Sequence, residues 1–289
     1  MTHSQNFYLG CAVWSYSGWV GSFYPAKSKA RDFLKLYCDR FSTVEGNTTF
    51  YAVPSPDTIA KWQTEMPPHF KFCPKFPKTI THHGALTPKL PEAEAFLERL
   101  SPLGSRLGVI FLQLPPTYSP QGLADLQQFL QDVTRNWSAF SFAVEVRHPD
   151  WFQSPHSPTL NTTLQSLNVG RVILDTRPVY ETDDDPQHHS RTRKPQLPLV
   201  SDVTADFTLI RFISHPHPPN NQPFLADWAS RITSLLRGKT IYFFVHCPQE
   251  EYSPHTARQF QTLLQHQNLP IPPLPWDTLP PTPQQLNLF

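Results

Sequence analysis

Glu45 and Glu145 each close a short apolar segment, and Lys75, Arg147 and Arg211 stand at or just beyond the ends of others. Two carboxyl groups on separate walls of one pocket can divide acid–base work when flanking cations keep one ionised and apolar burial keeps the other protonated. On that reading Glu45 and Glu145 are candidates for general base and general acid, and His82 and His246, which also follow apolar segments, are candidate proton carriers near neutral pH. The three cations point to an anionic ligand, because the planar arginine fork matches phosphate or carboxylate and lysine adds a movable point charge. The competing reading is a purely internal network, Glu45 with Lys75 and Glu145 with Arg147 or Arg211, since a buried charge requires a partner.

Around these charges stand Trp14, Tyr16, Tyr51 and Trp151, aromatic residues that can stack a sugar face or a base but that also serve as core. Gln113 and Asp175 end two further apolar segments. A divalent metal would find oxygen and nitrogen ligands in Glu45, Glu145, Asp175 and His246 if these converged. No HExxH or dense ligand run marks a metal site, and no cofactor is expected. Cys11, Cys38, Cys73 and Cys247 are widely spaced with no CxxC pair, which fits buried, reduced thiols.

The elements that must position these residues are eight apolar segments, at 8–12, 43–45, 70–73, 109–112, 142–144, 172–174, 207–212 and 241–245. Between them apolar residues recur every three or four positions, as in Ile59, Trp62 and Met66 or Leu225, Trp228, Ile232 and Leu235, the stripe of a half-buried helix. Ser55-Pro56-Asp57 and Ser253-Pro254 read as helix starts with a serine cap and a proline in the first turn. Between Asp175 and Phe207 no helix is apparent, and the acidic 183–185 and basic 191–194 runs read as a long solvated loop. Strand and helix alternation without a GxGxxG after the first strand predicts a TIM-like (β/α)8 barrel, with an irregular loop after strand six and a Pro-rich C-terminal tail.

Parity sharpens this expectation. If Trp14, Glu45, Lys75, Gln113, Glu145, Asp175, Arg211 and His246 point inward at the carboxyl ends of the strands, two residues back come Ala12, Thr43, Cys73, Phe111, Ala143, Ile173, Leu209 and Phe244. These are mostly apolar and varied in size, as interdigitating layers inside a barrel require.

Composition bounds the alternatives. With 39% hydrophobic and 16% charged residues and a formal charge of +1, the chain can fill a core and lacks the basic excess of a general nucleic-acid binder. The 33 prolines are more than twice an average usage of about 5%, and many fall in 183–198, 215–223 and 269–283. We therefore expect one domain over residues 1–268 and a tail over 269–289. Without a signal-like start or an apolar run near the roughly 20 residues of a membrane helix, the expected location is cytoplasmic, with no membrane partner.

In order along the chain, Gly10-Cys-Ala-Val-Trp-Ser-Tyr-Ser-Gly-Trp19, Phe23-Tyr-Pro25, Phe41-Ser-Thr-Val-Glu-Gly-Asn-Thr-Thr-Phe-Tyr51, Phe70-Lys-Phe-Cys-Pro-Lys75, Thr79-Ile-Thr-His82, Phe111-Leu-Gln-Leu-Pro-Pro116 and Glu145-Val-Arg-His-Pro-Asp-Trp151 resemble the domain-of-unknown-function 72 (DUF72, YecE-like) family. The resemblance implies a TIM-barrel fold rather than a particular reaction. It selects Glu45, Asn47, Phe50, Tyr51, Lys75, His82, Gln113, Glu145, Arg147, Trp151, Asp175 and Arg211. The chain departs from the family pattern after strands seven and eight, where it has Arg211-Phe-Ile-Ser-His215 and Phe244-Val-His-Cys247.

The enzyme expectation is a hydrolase or isomerase acting by acid–base chemistry on a small anionic carbohydrate or nucleotide-like molecule. A noncatalytic barrel that binds such a small anionic molecule is the alternative. A third reading comes from the terminus: Gln285-Leu-Asn-Leu-Phe289 looks like the peptide by which bacterial DNA-maintenance proteins dock onto the sliding clamp, with Gln285, Leu286, Leu288 and Phe289 as partner-binding residues. In that case the aromatic and cationic rim would be a candidate for single-stranded DNA.

Overall fold

The computed structural model describes residues 6–182 and 194–279. Its strands are β1 (Phe7–Cys11), β2 (Thr43–Gly46), β3 (Lys71–Pro74), β4 (Val109–Gln113), β5 (Ser141–Glu145), β6 (Gly170–Arg171), β7 (Ile173–Asp175), β8 (Phe207–Ile213) and β9 (Thr240–His246). They form three sheets, ordered β1-β9-β8-β7, β2-β3 and β4-β5-β6, and every strand pair is parallel. Parallel neighbours need a crossover, and helices such as Pro56–Glu65, Leu90–Leu100, Leu123–Asn136, His156–Ser166 and Gln222–Leu235 supply it. The chain thus has an α/β fold with parallel sheets.

Backbone contacts also run between the sheets. Ser42 N–H donates to Leu9 O at 3.3 Å, and Ser42 Oγ accepts Leu9 N–H at 3.0 Å, tying β1 to the residue before β2. A Cβ on Gly10 would lie 1.9 Å from Thr43 O, so this approach of β1 to β2 depends on glycine. Gly108 N–H donates to Phe72 O at 2.8 Å and Phe76 N–H to Phe111 O at 3.1 Å, linking β3 to β4. The expected sixth strand is divided: β6 pairs with β5, β7 pairs with β8, and Val172 lies between them.

Alternate strand residues enter different apolar clusters, as a period of two demands. Tyr8, Cys73, Val109, Phe111, Ala143, Leu209, Tyr242 and Phe244 form an inner cluster, whereas Phe142, Val144, Ile241, Phe243 and Val245 join the larger cluster with the helices. The expected inward register holds for Cys73, Phe111, Ala143, Leu209 and Phe244. It fails in the sixth segment. There Val172 is the inner residue and Ile173 belongs to the outer cluster, which reverses the parity of everything up to Asp175.

Helix Pro56–Glu65 starts as its sequence requires: Ser55 Oγ accepts the Thr58 N–H at 3.1 Å and Pro56 occupies the first position. Ser253 differs from the expected cap. It is the first residue of helix Ser253–His266, and its hydroxyl donates to the Glu250 carboxylate at 2.8 Å. Between Asp175 and Phe207 the described residues contain only the short helix Arg177–Tyr180. Of the expected tail, residues 269–279 pack on the body, with Trp276 edge-on to Phe23 and Phe41 and Gln261 donating to Pro272 O. All four cysteines are buried and unpaired. Among the described residues no helix is long and apolar enough to cross a membrane.

Candidate functional site

The strands end in charge. One step of two residues beyond the inner cluster come Glu45, Lys75, Gln113, Glu145, Arg211 and His246, all buried. Just after β2, Asn47 donates to Ala12 O at 2.8 Å, and Thr49 Oγ1 donates to Lys75 O at 2.7 Å and accepts Lys75 N–H at 3.0 Å. These bonds fix the turn that carries Asn47 and the start of the Lys75 side chain together.

Arg211 is the hub. Its Nε and Nη2 donate to Glu45 Oε2 and Oε1 at 2.8 and 2.9 Å, and its Nη1 donates to Glu145 Oε2 at 2.5 Å. Lys75 Nζ reaches Glu45 Oε1 at 3.0 Å, Asn47 Oδ1 at 2.5 Å and Gln113 Oε1 at 3.1 Å, which uses all three ammonium protons. His246 Nε2 lies 2.8 Å from Glu45 Oε2. Arg147 Nε donates to the remaining Glu145 oxygen, Oε1, at 2.6 Å, and among the described residues neither of its Nη atoms makes a hydrogen bond.

Burial pushes the Glu45 carboxyl up, but Arg211, His246 and Lys75 outweigh it and hold the group well below the usual carboxylate range. For Glu145 burial is outweighed by Arg211, Arg147 and Lys75, and the pKa falls to about 2. The expectation of one ionised and one protonated carboxyl is therefore corrected: both are ionised, because each is ringed by cations. Burial, then repulsion from Arg211, lowers Lys75 to about 8 despite its carboxylate neighbours. Burial lowers His246 to about 4 against the pull of Glu45, so the ring is neutral at pH 7. A neutral ring donating Nε2–H to Glu45 leaves Nδ1 as an acceptor with no hydrogen bond among the described residues. Three cations then face two carboxylates, a surplus of positive charge.

His82 borders this cluster. It is half-buried, lies edge-on to Phe50 with centroids 5.1 Å apart, and has its pKa lowered by burial and by Arg147. Phe50 in turn faces the Lys75 ammonium at 5.7 Å, and Tyr51 beside it is exposed. Tyr16 is half-buried against Trp19. Three expected residues are not brought to the cluster. Trp14 packs edge-on to Trp62 and Phe72 in the outer core. Trp151 is fully buried and donates to Tyr118 O at 2.7 Å. Asp175, turned by the parity change, accepts from Trp228 Nε1 at 2.7 Å and pairs with Arg177.

The alternative metal set is not assembled, since Asp175 faces away and the Glu45 and Glu145 oxygens are occupied by cations. Among the described residues no group of three or more His, Cys, Asp or Glu side chains is placed to hold a metal ion. Gln285, Leu286, Leu288 and Phe289 lie outside the described residues.

Two functional candidates escape sequence reasoning. Glu250, which opens the short 3-10 helix Glu250–Tyr252 after β9, is pushed up to about 7 by burial, with Glu45 adding to the shift and Ser253 and Lys194 opposing it. Its carbonyl accepts Trp19 Nε1–H at 2.8 Å and its Oε2 accepts the Ser253 hydroxyl, while Oε1 has no hydrogen bond among the described residues. Lys194 is lowered by burial and by Arg211, and its ammonium also senses Glu250, Glu45 and Arg147. The only sequence signal for either is its place after a strand's carboxyl end.

Parallel sheets crossed by helices, with a buried charged cluster at the carboxyl ends of the strands, make this an α/β protein. Within that class, the family model for "Protein of unknown function DUF72" matches residues 8–279, and the chain belongs to this family. It is 34% identical over 285 residues to UPF0759 protein YecE of Escherichia coli K12, covering 98% of this chain and 99% of that protein. Among solved structures, a DUF72 family protein from Enterococcus faecalis V583 is similar with a TM-score of 0.68 at 19% identity, covering 90% of this chain and 95% of that one. Another, from Thermotoga maritima MSB8, is similar with a TM-score of 0.65 at 20% identity, covering 90% and 99%.

Proposed function

We propose that the strands close into a (β/α)8 barrel whose mouth binds a small anionic molecule and performs acid–base chemistry on it, as a hydrolase or isomerase of a phosphorylated or carboxylated carbohydrate or nucleotide-like compound. Closure is supported by the β1–β2 and β3–β4 backbone bonds and by Val172, whose N–H donates to Val144 O at 2.9 Å where the chain passes between sheets. The observation that carries the anion reading is Arg147: one edge of its guanidinium is held on Glu145, and the other makes no hydrogen bond among the described residues. It sits in a cluster with surplus positive charge, and its side chain keeps 19% exposure where the charges beneath are sealed. A guanidinium presented this way matches two oxygens of one phosphate or carboxylate. Lys75, with its protons all engaged, contributes field rather than a contact.

The acid–base roles are distributed differently from a simple glutamate pair. His246 Nδ1, backed by the Glu45 carboxylate, is the proton acceptor; a pKa of about 4 keeps it in the accepting form and makes it a weak base. Glu250, half protonated near neutrality and with Oε1 unbonded among the described residues, is the proton donor. Glu145 orients Arg147.

Thermal unfolding and calorimetry with inorganic sulfate and a panel of sugar phosphates test the binding half. Arg147→Ala is expected to abolish ligand stabilisation; an unchanged response would overturn the assignment. A turnover screen with any binder, repeated on Glu250→Gln, tests the catalytic half. Turnover lost with binding retained supports it, and binding without any turnover would leave a noncatalytic ligand-binding barrel.

A further inference from the structure

Tyr51 and Val53 are the large apolar residues most open to solvent among the described residues, at 71% and 52% exposure; Tyr51 ends the short helix Thr48–Tyr51 after β2 and Val53 follows two positions later. Exposed apolar residues scattered singly need no explanation, but a pair on the rim of a charged cluster does. The neighbourhood is built in steps. The Phe50 ring lies 5.7 Å from the Lys75 ammonium on one side and edge-on to His82 at 5.1 Å on another. Tyr51 stands perpendicular to Phe50 with centroids 5.2 Å apart, and Lys78 Nζ lies over the Tyr51 ring at 5.8 Å. A ladder of rings therefore leads outward from the buried charge cluster and ends in the exposed Tyr51 ring, with a second cation over it.

We infer that Tyr51, Phe50 and Val53 form the ring-binding half of the anion site, and that the ligand class is a phosphate ester carrying a flat ring, a nucleoside monophosphate being the simplest member. This rests on the anion-binding reading of Arg147. An anion held by Arg147 leaves the remainder of its molecule at the mouth, and one chain of contacts joins the two ends: Arg147 is bonded to Glu145, Arg211 to both Glu145 and Glu45, Glu45 to Lys75, and Lys75 faces the Phe50 ring. A flat ring is preferred over a bare sugar because Tyr51 is a strongly exposed aromatic, and a base stacks on such a ring where a bare sugar gains less. Polar partners that would read the edge of a particular base are not part of this ladder, so stacking should tolerate different bases.

The test is calorimetric titration of the full chain with sodium sulfate, ribose 5-phosphate, adenosine 5′-monophosphate and uridine 5′-monophosphate, in wild type, Tyr51→Ala and Tyr51→Phe. Tyr51 is exposed, so neither substitution threatens folding. The expected result is that both nucleotides bind at least about fivefold tighter than ribose 5-phosphate, the lower end of one base–aromatic stack. Tyr51→Ala should remove that advantage and leave ribose 5-phosphate unchanged, and Tyr51→Phe should keep it. Equal binding of nucleotides and ribose 5-phosphate in wild type, or a loss in Tyr51→Ala shared by all four probes, would overturn the inference while the anion site stands. Failure of every probe, sulfate included, would overturn both.

Discussion

Two networks of carboxylates and guanidinium groups lie near the carboxyl ends of the strands, and they differ in charge balance. In the outer one Arg177 grips Asp175 with Nε and Nη2 at 3.0 and 2.9 Å, its Nη1 reaches Asp227 at 2.8 Å, and Arg231 pairs with Asp227 at 3.0 Å. Two arginines meet two aspartates, and the result ties the end of β7 to helix Gln222–Leu235, with Trp228 bonded to Asp175 from that helix. In the inner network Glu45 and Glu145 meet Lys75, Arg147 and Arg211, and one guanidinium edge has no partner among the described residues. The balanced network fastens a strand to a helix, and the surplus of the unbalanced one is what the proposed ligand site rests on.

The largest effect should come from removing the inner hub. Arg211→Met leaves Glu45 and Glu145 buried with less compensation, and uncompensated buried charge costs about 3–5 kcal/mol. Urea unfolding should show a loss of that order; a loss within about 1 kcal/mol would mean that the inner charges are not held as a unit. Arg177→Ala should cost less, about 1–3 kcal/mol, since Asp175 keeps its bond to Trp228. It should leave anion binding intact, and a variant that no longer binds anions would erase the distinction between the two networks.

Acid should loosen the inner network in two stages. His246 has a depressed folded pKa, so its contribution is complete above about 6.5 and is lost as pH falls toward about 4. Glu145 contributes fully above 4.5 and loses that contribution toward about 2, with Glu45 shifted in the same direction. Glu250 runs the other way: its raised pKa adds stability below 4.5 that disappears as pH rises through about 7. Stability curves from pH 4 to 8 for wild type and Glu250→Gln should therefore diverge, by on the order of 2 kcal/mol. Parallel curves would place Glu250 in open solvent, away from the site.

Much of this arrangement is legible from the chain alone. A period of two along buried strands is enough to align Glu45, Lys75, Gln113, Glu145, Arg211 and His246, because each follows a small or apolar inner residue by two positions. Asp175 breaks the rule because the sixth strand is divided at Val172, an event that leaves no mark in apolar periodicity. Trp14 and Trp151 escape for another reason: an aromatic in a βα loop packs on whatever the fold brings near, here Trp62 and the carbonyl of Tyr118. Glu250 and Lys194 lie outside the strands and longer helices, where no periodicity exists to assign a direction. Ionisation is beyond pattern reading altogether, since both glutamates owe their charge to Arg211, which arrives 166 and 66 residues away along the chain.

The smallest expected effect on stability belongs to Arg147→Ala, within about 1 kcal/mol because its guanidinium is partly solvated, and it leads to the most direct measurement. Crystals of wild type and Arg147→Ala soaked in selenate, a heavy analogue of sulfate and phosphate, can be compared by anomalous scattering. The proposed anion site predicts a selenium peak within hydrogen-bond reach of both Arg147 Nη atoms in wild type and none in the variant. Wild-type crystals with no peak at Arg147 while selenate occupies other sites, or an identical peak in both proteins, would contradict it.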